Sequence, residues 1–237
     1  MKRFFASLIA LLAVASVASG PAVAADPQKL VEDSAALAKS LLADPEWADY
    51  QALFTADAAG VKPGEKAAKA VILTPDFLKA GFVIGGAGGQ CVMIARNPTT
   101  GEWSSPSFCV IGEASIGFQI GASTAEVMML VMTDGAVDKL VNGTAKLGGE
   151  AGIAFGAFGS GIKGNTTFNL DRDIYAFSRN RGLFGGVAIE GGWIGPDTEY
   201  NHAYYGEPVT ARNILIDGTA RNQDAELLIR AALQQMN

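Results

Sequence analysis

The stretch that decides the fold is Val127-Met128-Met129-Leu130-Val131-Met132, which is apolar at six consecutive positions. Because a strand points successive side chains to opposite faces of its sheet, such a run predicts a central strand that is covered on both sides. Thr133-Asp134 follows at once and is typical of a helix N-cap. Apolar residues then recur at helical spacing until Asn142-Gly143, which predicts the end of a short helix.

Short β-like runs punctuated by glycine lie on both sides of this central strand. Those before it are Ala70 to Thr74, Gly81 to Gly86, Gln90 to Arg96, Ser107 to Ile111 and Ser115 to Gly121. Those after it are Ala151 to Phe158, Thr166 to Leu170, Ile174 to Arg179, Gly182 to Ile189 and a segment around Trp193. The glycine run 85–89 lacks the Lys and Ser/Thr of a phosphate-binding P-loop, so we interpret it as a turn between strands.

Helical patterns flank the β-like runs. Asp26-Pro27 predicts a first helix that extends to Leu42, and Asp44-Pro45 predicts the start of a second. Short helices are expected over 197–205 and 208–216. A final helix carries an apolar stripe of Ala225, Leu228, Ile229, Ala232 and Met236, with Glu226 and Arg230 on its other side. We therefore predict an α+β fold with a twisted, largely antiparallel, glycine-rich sheet, N-terminal helices and a C-terminal helix.

The N-terminus has the order of a secretory signal peptide. Lys2 and Arg3 precede the apolar stretch Phe4 to Ala18, and Ala22-Val23-Ala24 supplies the small residues of a cleavage site. We expect residues 1–24 to be the signal peptide, 25–65 an N-terminal helical segment and 66–237 the α+β domain. The protein is then expected to be exported, and to be periplasmic or peripheral to the envelope membranes.

The charge of the expected mature chain argues against nucleic acid as a partner. Removing Lys2 and Arg3 from the 18 basic residues leaves 16 against 24 acidic residues, a net charge of −8. Such a surface repels polyanions in bulk, so anionic-lipid binding needs a local basic patch. Four lysines cluster in sequence with apolar residues between them: Lys62, Lys66, Lys69 and Lys79. This cluster suits a lipid headgroup or an acidic partner, or else it is a solvated surface.

Two cysteines, Cys91 and Cys109, flank the turn-like stretch Asn97 to Gly101. A hairpin centred on residue 100 would place them opposite each other, and export favours oxidation. A one-residue change of register would put them on opposite faces. The sequence leaves both alternatives open, a cross-strand disulfide or two buried thiols.

The sequence contains no arrangement that points to catalysis, a metal or a cofactor. Its one histidine, His202, lies among tyrosines in a predicted short helix, so any hydrolase would have to pair it with Asp171 or Asp173. Arg172 separates these two aspartates, which favours a solvated edge over an acid pair or a calcium site. We therefore predict no catalytic residue, no metal site and no cofactor.

Several ordered motifs resemble those of the SYLF domain family. They are Lys69-Ala70-Val71-Ile72-Leu73-Thr74-Pro75 leading to Lys79-Ala80-Gly81-Phe82 and Gly85-Gly86, Trp103-Ser104-Ser105-Pro106-Ser107-Phe108, Ser115-Ile116-Gly117-Phe118-Gln119-Ile120-Gly121-Ala122 running on to Val131-Met132-Thr133, Ser178-Arg179-Asn180-Arg181-Gly182-Leu183-Phe184-Gly185-Gly186-Val187 and Tyr204-Tyr205-Gly206. The resemblance spans roughly residues 66–216. It implies a non-enzymatic domain, because eukaryotic members bind phosphoinositide-rich membranes and fungal members also bind actin. It also implies membrane contact through basic residues, here Lys69 and Lys79, and through an amphipathic segment, here the helix from Leu30 to Leu42.

This sequence departs from those relatives because it is acidic and is expected to be exported, which makes actin an improbable partner. We predict an envelope protein that binds an anionic phospholipid or a phosphoinositide-like headgroup. The alternative is a protein-interaction or structural module of the envelope without a lipid ligand. Its contact face would be the glycine-bare sheet surface with Tyr200, Tyr204 and Tyr205, which we expect to be exposed.

Overall fold

The computed structural model describes residues 26–45, 68–81, 84–97, 100–116, 121–148, 152–157, 172–181 and 191–234. Within these ranges there are eight strands and five helices. The strands are β1 (Ala70–Gly81), β2 (Ile84–Ala95), β3 (Ser107–Ile116), β4 (Gly121–Val131), β5 (Ala145–Lys146), β6 (Ile153–Ala157), β7 (Ile174–Arg181) and β8 (Trp193–Pro196). The helices are α1 (Pro27–Leu42), α2 (Asp134–Asn142), α3 (Thr198–Tyr205), α4 (Ala211–Leu215) and α5 (Gln223–Gln234). None of the described helices is both long enough and apolar enough to cross a membrane.

The eight strands form one sheet in the order β5-β8-β3-β2-β1-β4-β7-β6. Every neighbouring pair is antiparallel except β6 and β7, which run parallel. The apolar run 127–132 lies in and directly after β4, which pairs with β1 on one side and β7 on the other, and all six of its residues are buried. The predicted α+β class, the largely antiparallel sheet and the central strand are confirmed.

Helices cover both faces of the sheet. Alternate strand residues such as Val71, Val92 and Leu130 pack under α1 and α5, and we call this side the α1/α5 face. Their neighbours, such as Ile72 and Met129, pack under α2 and α4 on the α2/α4 face. Each fully buried aliphatic side chain contributes about 2 kcal/mol to folding. This alternation therefore sets the register of the strands, because a shift by one residue would move every side chain to the opposite face.

The predicted helix ends are largely confirmed. The side chains of Asp26, Thr133 and Asp197 each accept a hydrogen bond from a backbone N–H in the first turn of the helix that follows. In the C-terminal helix the stripe is partly wrong, because Leu228 is 38 % exposed and Leu233 is buried instead. The predicted helix after Asp44-Pro45, and the predicted strands 166–170 and 182–189, lie outside the described residues.

Strand β1 is longer than predicted because it accommodates a proline. The expected strand ended at Thr74, whereas β1 continues through Pro75 to Gly81. The pairing register shifts between Leu73 and Leu78 toward β2, and between Thr74 and Phe77 toward β4. Proline has no N–H to donate to the ladder, and a β-bulge is one of the few places in a sheet that tolerates it.

The interpretation of the glycine run 85–89 as a turn is wrong. These residues lie within β2, where all five pair with β3 and residues 85–88 also pair with β1. A Cβ at Gly89 would lie 2.5 Å from the carbonyl oxygen of Asp76, and a Cβ at Gly88 would lie 3.1 Å from that of Ile111. Glycine is needed at Gly89 and favoured at Gly88 because neighbouring backbones approach closely, which a sequence pattern does not distinguish from a turn.

Candidate functional site

The structure does not bring the predicted lysines together. Lys69 directly precedes β1, and its Nζ lies 3.7 Å from Asp134 Oδ1 at the start of α2. Lys79 lies ten residues further along the same strand, which corresponds to roughly 30 Å at the rise of a β-strand. Lys62 and Lys66 lie outside the described residues. Lys69 and Lys79 therefore belong to opposite ends of the sheet.

The end of the sheet that carries Lys79 is less buried than the other end. We call it the open end and define it by the ends of four strands: Gly81 of β1, Ile84 of β2, Ile116 of β3 and Gly121 of β4. Along β1, residues 70–75 are all buried, whereas Asp76, Leu78 and Ala80 are exposed. The described helices thus shield the apolar strand halves and leave this glycine-rich half accessible.

Leu78 is the most informative residue of the open end. It is 51 % exposed, in a strand whose other large apolar side chains are buried. Because side chains alternate, Leu78 lies on the α1/α5 face, while Lys79 shares the α2/α4 face with the buried Phe77. The sequence predicts a role for Lys79 but not for Leu78. The sequence signal for Leu78 is an apolar residue beside a lysine, three residues after the proline that marks the bulge.

A carboxylate lies near Lys79. The register places Lys79 opposite Ala87 of β2, and Ala87 opposite Glu113 of β3, so the three residues form one cross-strand row. Partial burial raises the pKa of Glu113, and the nearby charge of Lys79 opposes that rise. Lys79 thus contributes a positive charge that Glu113 offsets in part.

A second surface, a cleft of about 410 Å³ beneath α1, does not suit an anion. Arg179 crosses it, donating from Nε to the buried Glu126 Oε2 (2.6 Å) and from Nη2 to Ser40 Oγ (2.5 Å). Lys29 adds one positive charge, whereas Asp33, Asp76 and Glu126 supply three negative ones, and these five charged residues line the cleft. Its charge balance is therefore negative, and Arg179 serves to attach α1 to the sheet.

Helix α1 does not present its apolar side to solvent. Val31, Ala38 and Leu41 have no exposed surface and belong to the core under the α1/α5 face. The resemblance assigned this helix to membrane contact. In this structure its apolar face is already occupied by the sheet and α5, so it offers a lipid only its polar side.

The two cysteines lie opposite each other on adjacent strands. Cys91 of β2 is in register with Cys109 of β3, with Cα atoms 4.9 Å apart. Of the two alternatives that the sequence leaves open, the structure contains the disulfide. Both residues are buried, so the bond links β2 and β3 inside the core and is not a surface thiol site.

The tyrosines expected to be exposed pack inward instead. Tyr204 makes an edge contact with the buried Phe108 at 5.0 Å, and Tyr205 OH donates a hydrogen bond to the carbonyl oxygen of Pro106 (2.7 Å). Burial raises the pKa of Tyr204 to about 12 and raises that of Tyr205 further. The expectation of an aromatic contact face is wrong, because these rings fix α3 to β3 and the loop before it.

Of the residues considered for hydrolysis, His202 is a half-buried residue of α3, and Asp173 has a structural role. Asp173 accepts hydrogen bonds from Thr133 Oγ1 (2.7 Å) and from the backbone N–H of Gly152 (3.1 Å), which fixes the start of α2 against β7. Asp171 lies outside the described residues. Across the described ranges, no three His, Cys, Asp or Glu side chains are grouped as ligands for a metal ion.

Comparison with known proteins identifies relatives. The family model described as "Ysc84: Las17-binding protein actin regulator" matches residues 112–235, a little over half of the chain. The human "SH3 domain-containing YSC84-like protein 1" is 33% identical over 150 residues, which cover 63% of this chain and 44% of the human protein. "LAS seventeen-binding protein 3" of Saccharomyces cerevisiae is 30% identical over 173 residues, or 67% of this chain and 38% of the yeast protein.

The chain thus spans less than half the length of the curated relatives that it matches. The family model covers the motifs from Ser115 onward, whereas those at 69–75 and 103–108 precede its first residue. With more than half of the chain matched, the resemblance to the SYLF family is confirmed, and the chain belongs to the Ysc84 (SYLF) family.

Proposed function

We propose that this protein is a non-enzymatic, phospholipid-binding protein of the cell envelope that contacts anionic membranes with its open end. The observation that carries the proposal is the exposed Leu78 and the adjacent Lys79, one on each face of β1 at the end that the described helices leave uncovered, where a membrane that meets the end of the sheet contacts both. A membrane surface offers an apolar phase for the first side chain and negative charge for the second. Its relatives are named as binding proteins, which favours a binding role over catalysis.

The magnitude expected from these two residues is modest. Burying a whole leucine side chain gains about 1.5–3 kcal/mol, so the exposed half of Leu78 gains about 1 kcal/mol on insertion. A lysine near an anionic surface gains about 1 kcal/mol. Together they change the membrane partition coefficient roughly 30-fold. The contact is therefore reversible, weakened by salt, and supplemented by other residues wherever binding is strong.

The expected location changes which partner carries over from the relatives. Residues 1–24 predict export, which would place the protein away from actin, the partner that the family description mentions. An anionic phospholipid of an envelope membrane is present in the compartment that we propose. Expression of the full chain, followed by intact-mass analysis of the exported product, tests this part. Cleavage after Ala24 supports it, and retention of Lys2 and Arg3 in a cytoplasmic product contradicts it.

Vesicle flotation tests the open end directly. The purified chain is mixed with vesicles of phosphatidylcholine alone, or with added phosphatidylglycerol, and we expect salt-sensitive flotation only with the second. Lys79→Glu and Leu78→Ser should each reduce it. Lys69→Glu is the matched control, because it makes the same charge change at the other end of β1. Equal losses in Lys69→Glu and Lys79→Glu would show a general charge effect and reject the open end as the contact.

A second candidate function is a protein-interaction module, favoured by one observation on α5. Leu227 is 65 % exposed and Leu228 is 38 % exposed, two adjacent large apolar residues on the surface of the last helix. The yeast relative is named for binding another protein. If Leu227→Ser with Leu228→Ser abolishes cross-linking to one envelope protein in cells while flotation is unchanged, this role is supported. A cross-linking pattern identical to that of the unaltered chain would dismiss it.

A further inference from the structure

A small pocket lies at the end of the sheet opposite the open end, and its volume is about 130 Å³. It is bounded by the segment between β2 and β3, the end of α4 and the start of α5. Its lining includes Glu102, Trp103, Ile216, Arg221 and Arg230. A water molecule occupies about 30 Å³ in the liquid, so the space holds about four waters or one small polyatomic anion.

A buried carboxylate fixes one of the two arginines and helps to fix the other. Glu226 is 5 % exposed, although the sequence predicted it on the outer side of the helix. Its Oε1 accepts from Arg221 Nε (2.9 Å) and its Oε2 from Arg221 Nη2 (2.6 Å), a bidentate pair, while Oε1 also accepts from Ser105 Oγ. These contacts lower the pKa of Glu226, so it stays ionised at neutral pH.

Arg230 is held by different partners. Its Nη2 donates to the carbonyl oxygen of Trp103 (3.0 Å) and lies 3.7 Å from Glu226 Oε2. Two guanidinium groups are thus oriented by groups beneath and beside the pocket before any ligand arrives. Such pre-organisation removes part of the entropy cost of binding an anion.

Each guanidinium keeps donors that the described residues do not satisfy. Arg221 uses Nε and Nη2 for Glu226, and among the described residues no hydrogen bond engages its Nη1. Arg230 Nε is buried without a hydrogen-bond partner within the same ranges. Arg230 Nη1 lies 3.9 Å from Glu102 Oε1, which is beyond hydrogen-bond distance. Glu102 is 61 % exposed and thus loosely held, so a stronger anion can replace it.

The pocket is less acidic than the protein as a whole. The charges of Arg221 and Arg230 balance those of Glu102 and Glu226, the charged residues in its described lining, whereas the whole chain carries −6. Arg96 stacks on the ring of Trp103 at 4.5 Å and thereby helps to fix this wall of the pocket. Arginine is suited to phosphate because its planar fork matches the oxygen spacing of that group.

We propose that this arginine pocket binds a phosphate group, with Arg221 and Arg230 as its ligands and with Glu102 as an internal carboxylate that it displaces. The phosphate belongs either to a free phosphate ion or monoester, or to the headgroup of a lipid. Ile216, which is 43 % exposed, lies at the pocket and would contact the apolar part of a lipid. The site is distinct from the open end, so it does not depend on the proposed function.

The test titrates inorganic phosphate into the full chain and follows amide chemical shifts of 102–104 and of α5. Saturable shifts at these positions support the pocket. Glu102→Gln should tighten binding several-fold, because it removes the competing charge, and Arg221→Gln should weaken it about tenfold or more. Glu102 is exposed, so its variant stays informative even where Arg221→Gln destabilises the fold. Absent shifts at about 10 mM phosphate, or an unchanged affinity in Glu102→Gln, would overturn the proposal.

The source of the phosphate is separated in parallel titrations with glycerol 3-phosphate and with vesicles that contain phosphatidic acid. Affinity for the soluble compounds alone identifies a free phosphate ligand. Vesicle binding that is lost in Arg221→Gln but kept in Lys79→Glu identifies a lipid headgroup bound at this pocket. Lys79→Glu should leave inorganic phosphate binding unchanged in either case, so the open end and the pocket succeed or fail separately.

Discussion

Replacing Gly89 tests the packing of the glycine-rich strand most sharply. A Cβ at this position would lie 2.5 Å from the backbone oxygen of Asp76 and 2.9 Å from Thr74 Cγ2, both closer than van der Waals contact. The backbone oxygen belongs to the bulged part of β1 and moves only if the ladder moves. Overpacking of this kind costs about 1–3 kcal/mol, so Gly89→Ala should lower the free energy of unfolding by about that amount.

Gly86 provides the matched control in the same strand. A Cβ there would meet only the carbonyl oxygen of Glu113 at 3.7 Å, an ordinary contact. Gly86→Ala should therefore be neutral, or should stabilise the fold by up to about 1 kcal/mol because alanine restricts the unfolded chain. Urea unfolding of both variants with the disulfide intact gives the two values. Free energies within about 0.5 kcal/mol of each other would refute the close approach of β1 to β2 at Gly89.

Three further predictions follow from buried groups. Burial raises the pKa of Glu113 above that of the unfolded chain, so the folded state binds the proton more tightly. The free energy of unfolding should therefore fall as pH rises from about 4.5 through the raised pKa. Urea titrations at several pH values measure this slope, and Glu113→Gln should remove the part that Glu113 contributes. Asn201→Ala should cost about 1–3 kcal/mol in the same assay, because its buried side chain accepts from the backbone N–H of Phe108 (2.9 Å), and an unchanged midpoint would count against that role. Reducing the Cys91–Cys109 bond, which closes a loop of 18 residues, should cost about 3 kcal/mol, and identical unfolding curves with and without reductant would be inconsistent with the bond.

The parts of the fold that depend on local chemistry could be predicted from the sequence. The apolar run 127–132 predicts a strand buried on both faces, because a strand points successive side chains to opposite faces of its sheet and all of these side chains are apolar. Asp26-Pro27 and Thr133-Asp134 predict helix starts because the side-chain acceptor is within two or three residues of the N–H it satisfies. The facing position of Cys91 and Cys109 is one of the two alternatives that a hairpin about residue 100 leaves open, and the register selects it.

The parts that depend on distant contacts could not be predicted. Glycine serves tight turns and close backbone approach equally well, so the run 85–89 gave no sign that Asp76 would lie against Gly89. The helical pattern predicts Glu226 on the solvent side of the last helix, whereas the structure buries it. Ser105, which donates a hydrogen bond to it, is 121 residues away in the chain, and a charged residue is buried only where such partners contact it.

The candidate site was affected by the same difficulty. Lys69 and Lys79 are close in sequence, and a helix or loop would have kept them together. An extended strand instead separates them by roughly 30 Å. Exposure of Leu78 depends on where the covering helices end, which the residues of β1 do not encode.

The most direct test of the central claim places an environment-sensitive fluorophore on the open end. Ala80 is exposed and lies one residue before the end of β1, so Ala80→Cys can carry the dye without removing Leu78 or Lys79. Ala203→Cys on the exposed side of α3 is the control. With phosphatidylglycerol vesicles, we predict a blue shift and quenching by lipid-borne quenchers at position 80 and neither at position 203. A dye at position 80 that stays in water while the protein floats with the vesicles would contradict membrane contact through the open end.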